Sequence, residues 1–260
     1  MQNRIDQCFT ALRSRNQKAF IAYICAGDPS LARTVDLALA LGNAGTDILE
    51  LGVPFSDPLA DGLVNQLAAQ RALEAGATVQ GVLDCVRQIR RRSQIPIVLY
   101  TYMNPIFQFG LDRFHREATD AGVDGLLILD LPPEEDPQTD ALLHIRLIAP
   151  TTPLDRIQRI CARAAGFIYY VSREGVTGVQ SSVASSLAER VAQIRQCTEL
   201  PIAVGFGIST PEQAREVAQI ADAIVVGSAI VEKISENSGA ANMPDRIGAF
   251  VRPLVTGVKP

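Results

Sequence analysis

Two carboxylates eleven positions apart, Glu50 and Asp61, are the side chains of this chain best placed to do chemistry. Glu50 sits near the end of the apolar run DILELG (47–52), and Asp61 lies in the loop that follows, PFSDPLADG (54–62), whose prolines limit its backbone freedom. A carboxylate where a strand opens into a loop is partly desolvated, and desolvation favours its protonated form. Such a group can give and take back a proton near neutral pH. Alternate side chains of a strand share a face, so Ile48 and Glu50 point one way and Leu49 and Leu51 the other. The leucines suit a layer between sheet and helices, which turns Glu50 inward. The competing role for Glu50 is an ion pair with an inward base, and Arg146 is the one Lys or Arg in the neighbouring apolar runs. For Asp57 and Asp61, turn formation or helix capping stands beside the chemical reading. Asp130, just before Leu131-Pro132-Pro133, reads as structural.

Two glycine-rich segments, GFGIS (205–209) and VGSAI (226–230), could bind an anion. Glycine lets backbone N–H groups approach closely, and a helix N-terminus adds partial positive charge. The stretch SAIVEKIS after Gly227 suits a short helix, followed by the polar break ENSGAAN. Both segments lack Lys and Arg, so the backbone would carry the charge. A third segment, SREGVTG (172–178), reads either as a surface loop or as a lid that excludes water, with Gly178 adding an N–H to the anion.

These residues need a frame. Eight short apolar runs recur along the chain, at 20–25, 47–52, 96–102, 124–131, 145–150, 167–172, 201–207 and 222–227. Helical stretches are predicted at 30–44, 63–76 continuing to 81–92, 110–121, 134–143, 153–164, 184–197, 210–219 and 244–252. Near-continuous Val/Ile/Leu runs mark strands covered on both faces, hence a parallel sheet. Eight strand–helix units in 260 residues fit one (β/α)8 barrel domain over 1–260, with an extra helix at 4–14 across the floor. A doubly wound dinucleotide fold would carry GxGxxG after its first strand, where this chain has AGDPS. Gly45, Gly122 and Gly166 read as helix C-caps. Barrel chemistry sits at the C-terminal ends of the strands. There fall Glu50, Asp61, Asn104, Asp130, Ser172, residues 205–207, Gly227 and Ser228.

The net charge of −4 disfavours nucleic acid as a partner, and Arg90-Arg91-Arg92 reads as a helix end. No window is long and apolar enough for a membrane span. The N-terminal stretch lacks the apolar segment of a secretory signal. Five scattered cysteines with no CxxC pair read as reduced thiols, which predicts a cytoplasmic protein.

The chain resembles the tryptophan synthase alpha chain family over nearly its whole length. The shared motifs are GDPS, ELGVPFSDPLADG, YTYMNP, LDLPPEE, GFIYYVSREGVTG, PIAVGFGIS and VVGSAIV. The resemblance implies retro-aldol cleavage of indole-3-glycerol phosphate to indole and glyceraldehyde 3-phosphate. It implies Glu50 as the acid/base group and Asp61 as the partner of the indole N–H. It implies a pocket lined by Tyr23, Tyr102, Tyr169 and Phe206, with Thr177 meeting Asp61 when the lid closes. The phosphate would rest on Gly178, Gly207, Gly227 and Ser228. No metal or cofactor is implied for this chain. Pyridoxal phosphate would belong to a beta chain, joined in an assembly of two alpha and two beta chains and receiving the indole. The docking rim would include Pro54, Phe55, Pro105, Ile106 and Phe107. Departures from the family pattern are Cys25, Leu63, Asn65 and the stretch Gln180-Ser181-Ser182. His115 and His144 fall in no motif and read as surface or packing residues. Rival readings are a stand-alone lyase releasing free indole, a weakly catalytic activator of the beta chain, and another phosphate-binding barrel enzyme.

Overall fold

The computed structural model of the chain describes residues 3–136, 141–172, 181–205 and 207–259, the side chains of 181–185 aside. Helix α1 (Arg4–Ser14) precedes β1 (Ala19–Cys25) and α2 (Leu31–Asn43). Then come β2 (Ile48–Gly52), α3 (Leu63–Glu74), α4 (Val79–Arg90), β3 (Ile97–Thr101), α5 (Met103–Phe109), α6 (Leu111–Ala121) and β4 (Gly125–Ile128). The second half runs β5 (Leu143–His144), β6 (Arg146–Ile148), α7 (Leu154–Cys161), β7 (Ile168–Val171), α8 (Ser181–Arg195), β8 (Ile202–Gly205), α9 (Pro211–Ala218), β9 (Ala223–Val226), α10 (Ser228–Glu236) and α11 (Met243–Val258).

All strand pairs are parallel, in the order β5-β4-β3-β2-β1-β9-β8-β7-β6. The two ends of that order, β5 and β6, are separated along the chain by Ile145 alone. They are two pieces of one strand position, the first paired with β4 and the second with β7. The sheet therefore bends round into a nearly closed barrel of eight positions. Staggered, tilted strands overlap their neighbours over only part of their length, which is how such a barrel closes.

Alternation sorts the strand residues into two layers. Ile21, Ile48, Val98, Leu127, Ile145, Tyr169, Ala203 and Val225 fill the interior with Ile5, Phe9 and Leu12 of α1, which packs across the floor. The Phe9 and Phe167 rings meet there at 5.8 Å. Phe20, Leu49, Leu51, Leu99 and Ile148 face outward and pack under Leu37, Val82, Phe114, Ile157 and Ile247 of the helices. The floor is also braced by Arg90, which ends α4 and donates to Gly122 O at 2.8 Å and to Asp124 Oδ2 at 2.7 Å. Asp124 in turn accepts Ile97 N–H at 2.8 Å.

Two helix expectations need correction. The helix expected at 134–143 is absent from the described part of that stretch: Pro133–Glu135 form a single 3-10 turn and Leu143 already belongs to β5. Asp136 has extended dihedrals, and its buried carboxylate is held by His144 and Arg146. Those tertiary bonds, with two prolines ahead, outcompete a helix. The ranges expected at 63–76 and 81–92 are α3 and α4, separated at Gly76 with φ of +82° and restarted by Thr78, whose hydroxyl accepts Gly81 N–H. Helix α5 falls in a stretch where none was predicted. Pro105 lies in its first turn, where a missing N–H does no harm, and Asp130 Oδ1 accepts Met103 N–H at 2.7 Å. The structural reading of Asp130 thus holds.

Candidate active site

Strand register decides what meets at the mouth. Tyr23 of β1 stands opposite Glu50 of β2, Glu50 opposite Val98 of β3, and Gly52 opposite Tyr100. Glu50 shares the inward face with Ile48, as alternation requires. The base that could have neutralised it does not reach it. Arg146 shares parity with outward Ile148 and bonds Asp136. Glu50 is fully buried, and neither carboxylate oxygen has a hydrogen-bond partner among the described residues. Burial alone drives its pKa up from the ordinary 4.5 to about 8. Tyr23 and Tyr169 both lie within reach of its charge.

Asp61 comes from the β2–α3 loop and is held from two sides. Tyr100 donates to Oδ1 at 2.9 Å and Tyr102 donates to Oδ2 at 2.7 Å. The Tyr102 hydroxyl also accepts Ala60 N–H at 3.1 Å, and Gln66 of α3 donates to Asp61 O at 2.8 Å. Helix α3 is anchored in turn by Arg71, which makes a two-pronged bond to buried Asp28 at 2.9 and 2.7 Å.

A cavity of about 540 Å3 opens at this end of the barrel. Its walls include Tyr23, Asp61, Tyr100 and Tyr169, the glycines Gly205, Gly207 and Gly227 with Ser228, and the apolar Leu129, Leu147 and Val225. Glu50 lies behind this lining, and Tyr102 stands behind Asp61. Two tyrosines are seated on glycines. A Cβ added at Gly52 would lie 2.5 Å from the Tyr23 hydroxyl, and one at Gly205 would lie 2.7 Å from that of Tyr169. Gly227 is the N-cap of α10, so the first N–H groups of that helix lack acceptors within it. With their dipole they make the glycine-lined wall a place for an anion. Gly207, at φ of +63°, takes a conformation that favours glycine.

Thr177, Gly178, Phe206 and most of the 172–178 segment lie outside the described residues, as does Gln180. Among the rim residues expected to face a partner, Phe107 is exposed, but Pro54 and Ile106 are buried in the local packing. Leu59 and Leu63 stand out instead. His144 is buried against Asp136 and stacks on His115 with ring centres 6.2 Å apart. The five cysteines are free, and burial raises the thiol pKa of Cys25. Asn65 lines the cavity, and its Oδ1 is buried without a partner among the described residues. Tyr100 escaped the sequence reading, although its place two residues before Tyr102 put it on the same strand face. Among the described residues, no group of three or more His, Cys, Asp or Glu could hold a metal ion, and no helix is long and apolar enough to cross a membrane.

Comparison with known proteins gives a consistent answer. The family model for the tryptophan synthase alpha chain matches residues 9–258. The tryptophan synthase alpha chain of Opitutus terrae is 53% identical over 267 residues, covering 99% of both chains. That of Geobacter sp. (strain M21) is 49% identical, covering 98% of both. Among solved structures, tryptophan synthase subunit alpha from Legionella pneumophila str. Paris superposes with a TM-score of 0.91 at 39% identity, over 99% of each chain. Tryptophan synthase from M. tuberculosis in an aminoacrylate-bound form gives 0.88 at 32% identity, over 99% of this chain and 100% of that one.

Proposed function

This chain belongs to the tryptophan synthase alpha chain family, and from that premise we propose which of its residues carry the reaction. It is a carbon–carbon lyase that cleaves indole-3-glycerol phosphate to indole and glyceraldehyde 3-phosphate. The bond that breaks joins indole C3 to the hydroxyl-bearing carbon of the side chain, and its electron pair needs a sink. Glu50, protonated, gives its proton to C3 and creates an indoleninium. Removal of the side-chain hydroxyl proton by the same carboxylate then forms the aldehyde carbonyl as the bond breaks. The released pair restores the aromatic ring and neutralises the ring nitrogen. The first proton stays on C3 of the product and the second returns to Glu50, so the carboxyl ends as it began. Asp61 accepts the ring N–H while positive charge develops there, an interaction that strengthens toward the transition state.

What supports Glu50 is its burial without a partner, which holds it protonated at neutral pH, beside two tyrosines of the cavity wall. The apolar walls between Tyr23 and Tyr169 suit a flat ring. Backbone N–H groups at Gly207, Gly227 and Ser228 receive the phosphate. The whole of 1–260 acts as one barrel domain in the cytoplasm. Exposed Leu59, Leu63 and Phe107 form an apolar rim suited to a beta chain, in an assembly of two alpha and two beta chains. Pyridoxal phosphate belongs to that partner.

The test is indole release by the purified chain, with and without a beta chain, for parent and Glu50→Gln. The variant should lose nearly all turnover while still binding a non-cleavable substrate analogue. Near-normal turnover would end the assignment of Glu50. Parent rates that a beta chain leaves unchanged would favour a stand-alone lyase.

A further inference from the structure

Tyr100 and Tyr102 leave the same face of the strand and its exit, and their hydroxyls reach different oxygens of one carboxylate. The two phenols are not equivalent. Tyr102 is tied to the loop through Ala60 N–H and stands behind Asp61, whereas Tyr100 lines the cavity. The Tyr100 ring is fixed edge-on against Tyr23, with centres 5.0 Å apart at 70°, and Tyr23 is in turn seated on Gly52. Its hydroxyl therefore stands on a rigid strand, while Asp61 stands on a loop.

A carboxylate turns readily about its last bond, because that torsion is broad. One donor leaves the plane free to rotate about the bonded oxygen, and a second donor on the other oxygen removes that freedom. Each carboxylate oxygen has about two lone-pair sites, so each keeps one after accepting a phenol. Asp61 itself lines the cavity, as does Tyr100.

We propose that Tyr100 is a positioning residue for the cleavage reaction: its hydroxyl fixes the plane of the Asp61 carboxylate so that a remaining lone pair faces the indole N–H. The inference rests on the reading that Asp61 receives that N–H. Burial raises the Tyr100 pKa well above the ordinary tyrosine value, so its hydroxyl remains a donor at working pH.

Tyr100→Phe removes the hydroxyl and leaves the ring against Tyr23. It should lower kcat roughly tenfold, with KM within about twofold and the unfolding midpoint unchanged. In an Asp61→Asn background the same change should cost nothing further, because the group it positions is gone. Parent-like kcat in Tyr100→Phe, or an equal loss in both backgrounds, would overturn the proposal. If Asp61→Asn alone turns over like the parent, the assignment of Asp61 fails and takes this inference with it. If Asp61→Asn is crippled and Tyr100→Phe is not, only the role of Tyr100 falls.

Discussion

A carboxyl with no hydrogen-bond partner inside a barrel is tolerated only while it keeps its proton. The unfolded chain releases the Glu50 proton near the ordinary 4.5, and the folded chain holds it to about 8. Between those values the folded state binds more protons, so stability falls as pH rises through the window and levels off above it. Glu50→Gln abolishes the titration and keeps the shape. The variant should therefore be more stable relative to the parent at about pH 9 than at about pH 5, by a few kcal/mol in urea unfolding. An equal difference at both pH values would mean that Glu50 titrates normally in the fold. The same pKa predicts that kcat/KM declines above about pH 8, as the general acid of the free enzyme is lost. The inward direction of Glu50 was legible from alternation alone. Its lack of a partner was not, because it depends on where Arg146 points, and that is fixed by Asp136 and the packing of the helix layer.

At the scale of elements, α10 matters most, because a helix N-terminus facing a cavity is an anion site only if nothing fills the space before it. Gly227 keeps it open: a Cβ there would lie 3.4 Å from the Tyr23 ring, and a branched side chain would press on that ring and the cavity. Gly227→Val should raise KM roughly tenfold or more and change kcat by less than about threefold, because phosphate binding is shared by ground and transition states. An unchanged KM in steady-state assays would place the phosphate elsewhere. Helices α2 and α9 begin within a residue of where periodicity placed them, at 30–44 and 210–219, and the structure shows what fixes those starts. Thr210 and Gln213 form a full capping box with Pro211 in the first turn of α9, and Ser30 caps α2. The described part of the stretch at 134–143 was misread because its acidic and polar residues suit a helix locally. The carboxylate of Asp136 instead serves His144 and Arg146 on neighbouring strands, a competition no local pattern records.

The whole molecule separates its working end from its supporting end. The cavity opens where the strands finish, and α1 closes the opposite end with Ile5, Phe9 and Leu12. Phe9→Ala should cost about 3–5 kcal/mol in denaturant unfolding, because it empties the contact with Phe167. Well below its unfolding midpoint, kcat and KM should stay close to those of the parent, and a large change in either would mean that floor and mouth are coupled. The sequence by itself determined the eight strand positions, the floor helix, the inward turn of Glu50 and the glycines at the mouth. Each of these follows from backbone periodicity or from a backbone conformation that few residues adopt, and both are local. Only the tertiary structure decided that Glu50 is unpaired, that two phenols grip Asp61 and that Arg146 is spent on Asp136. Desolvation and pairing arise between strands distant along the chain, and their outcome is set by the register and closure that bring those strands together.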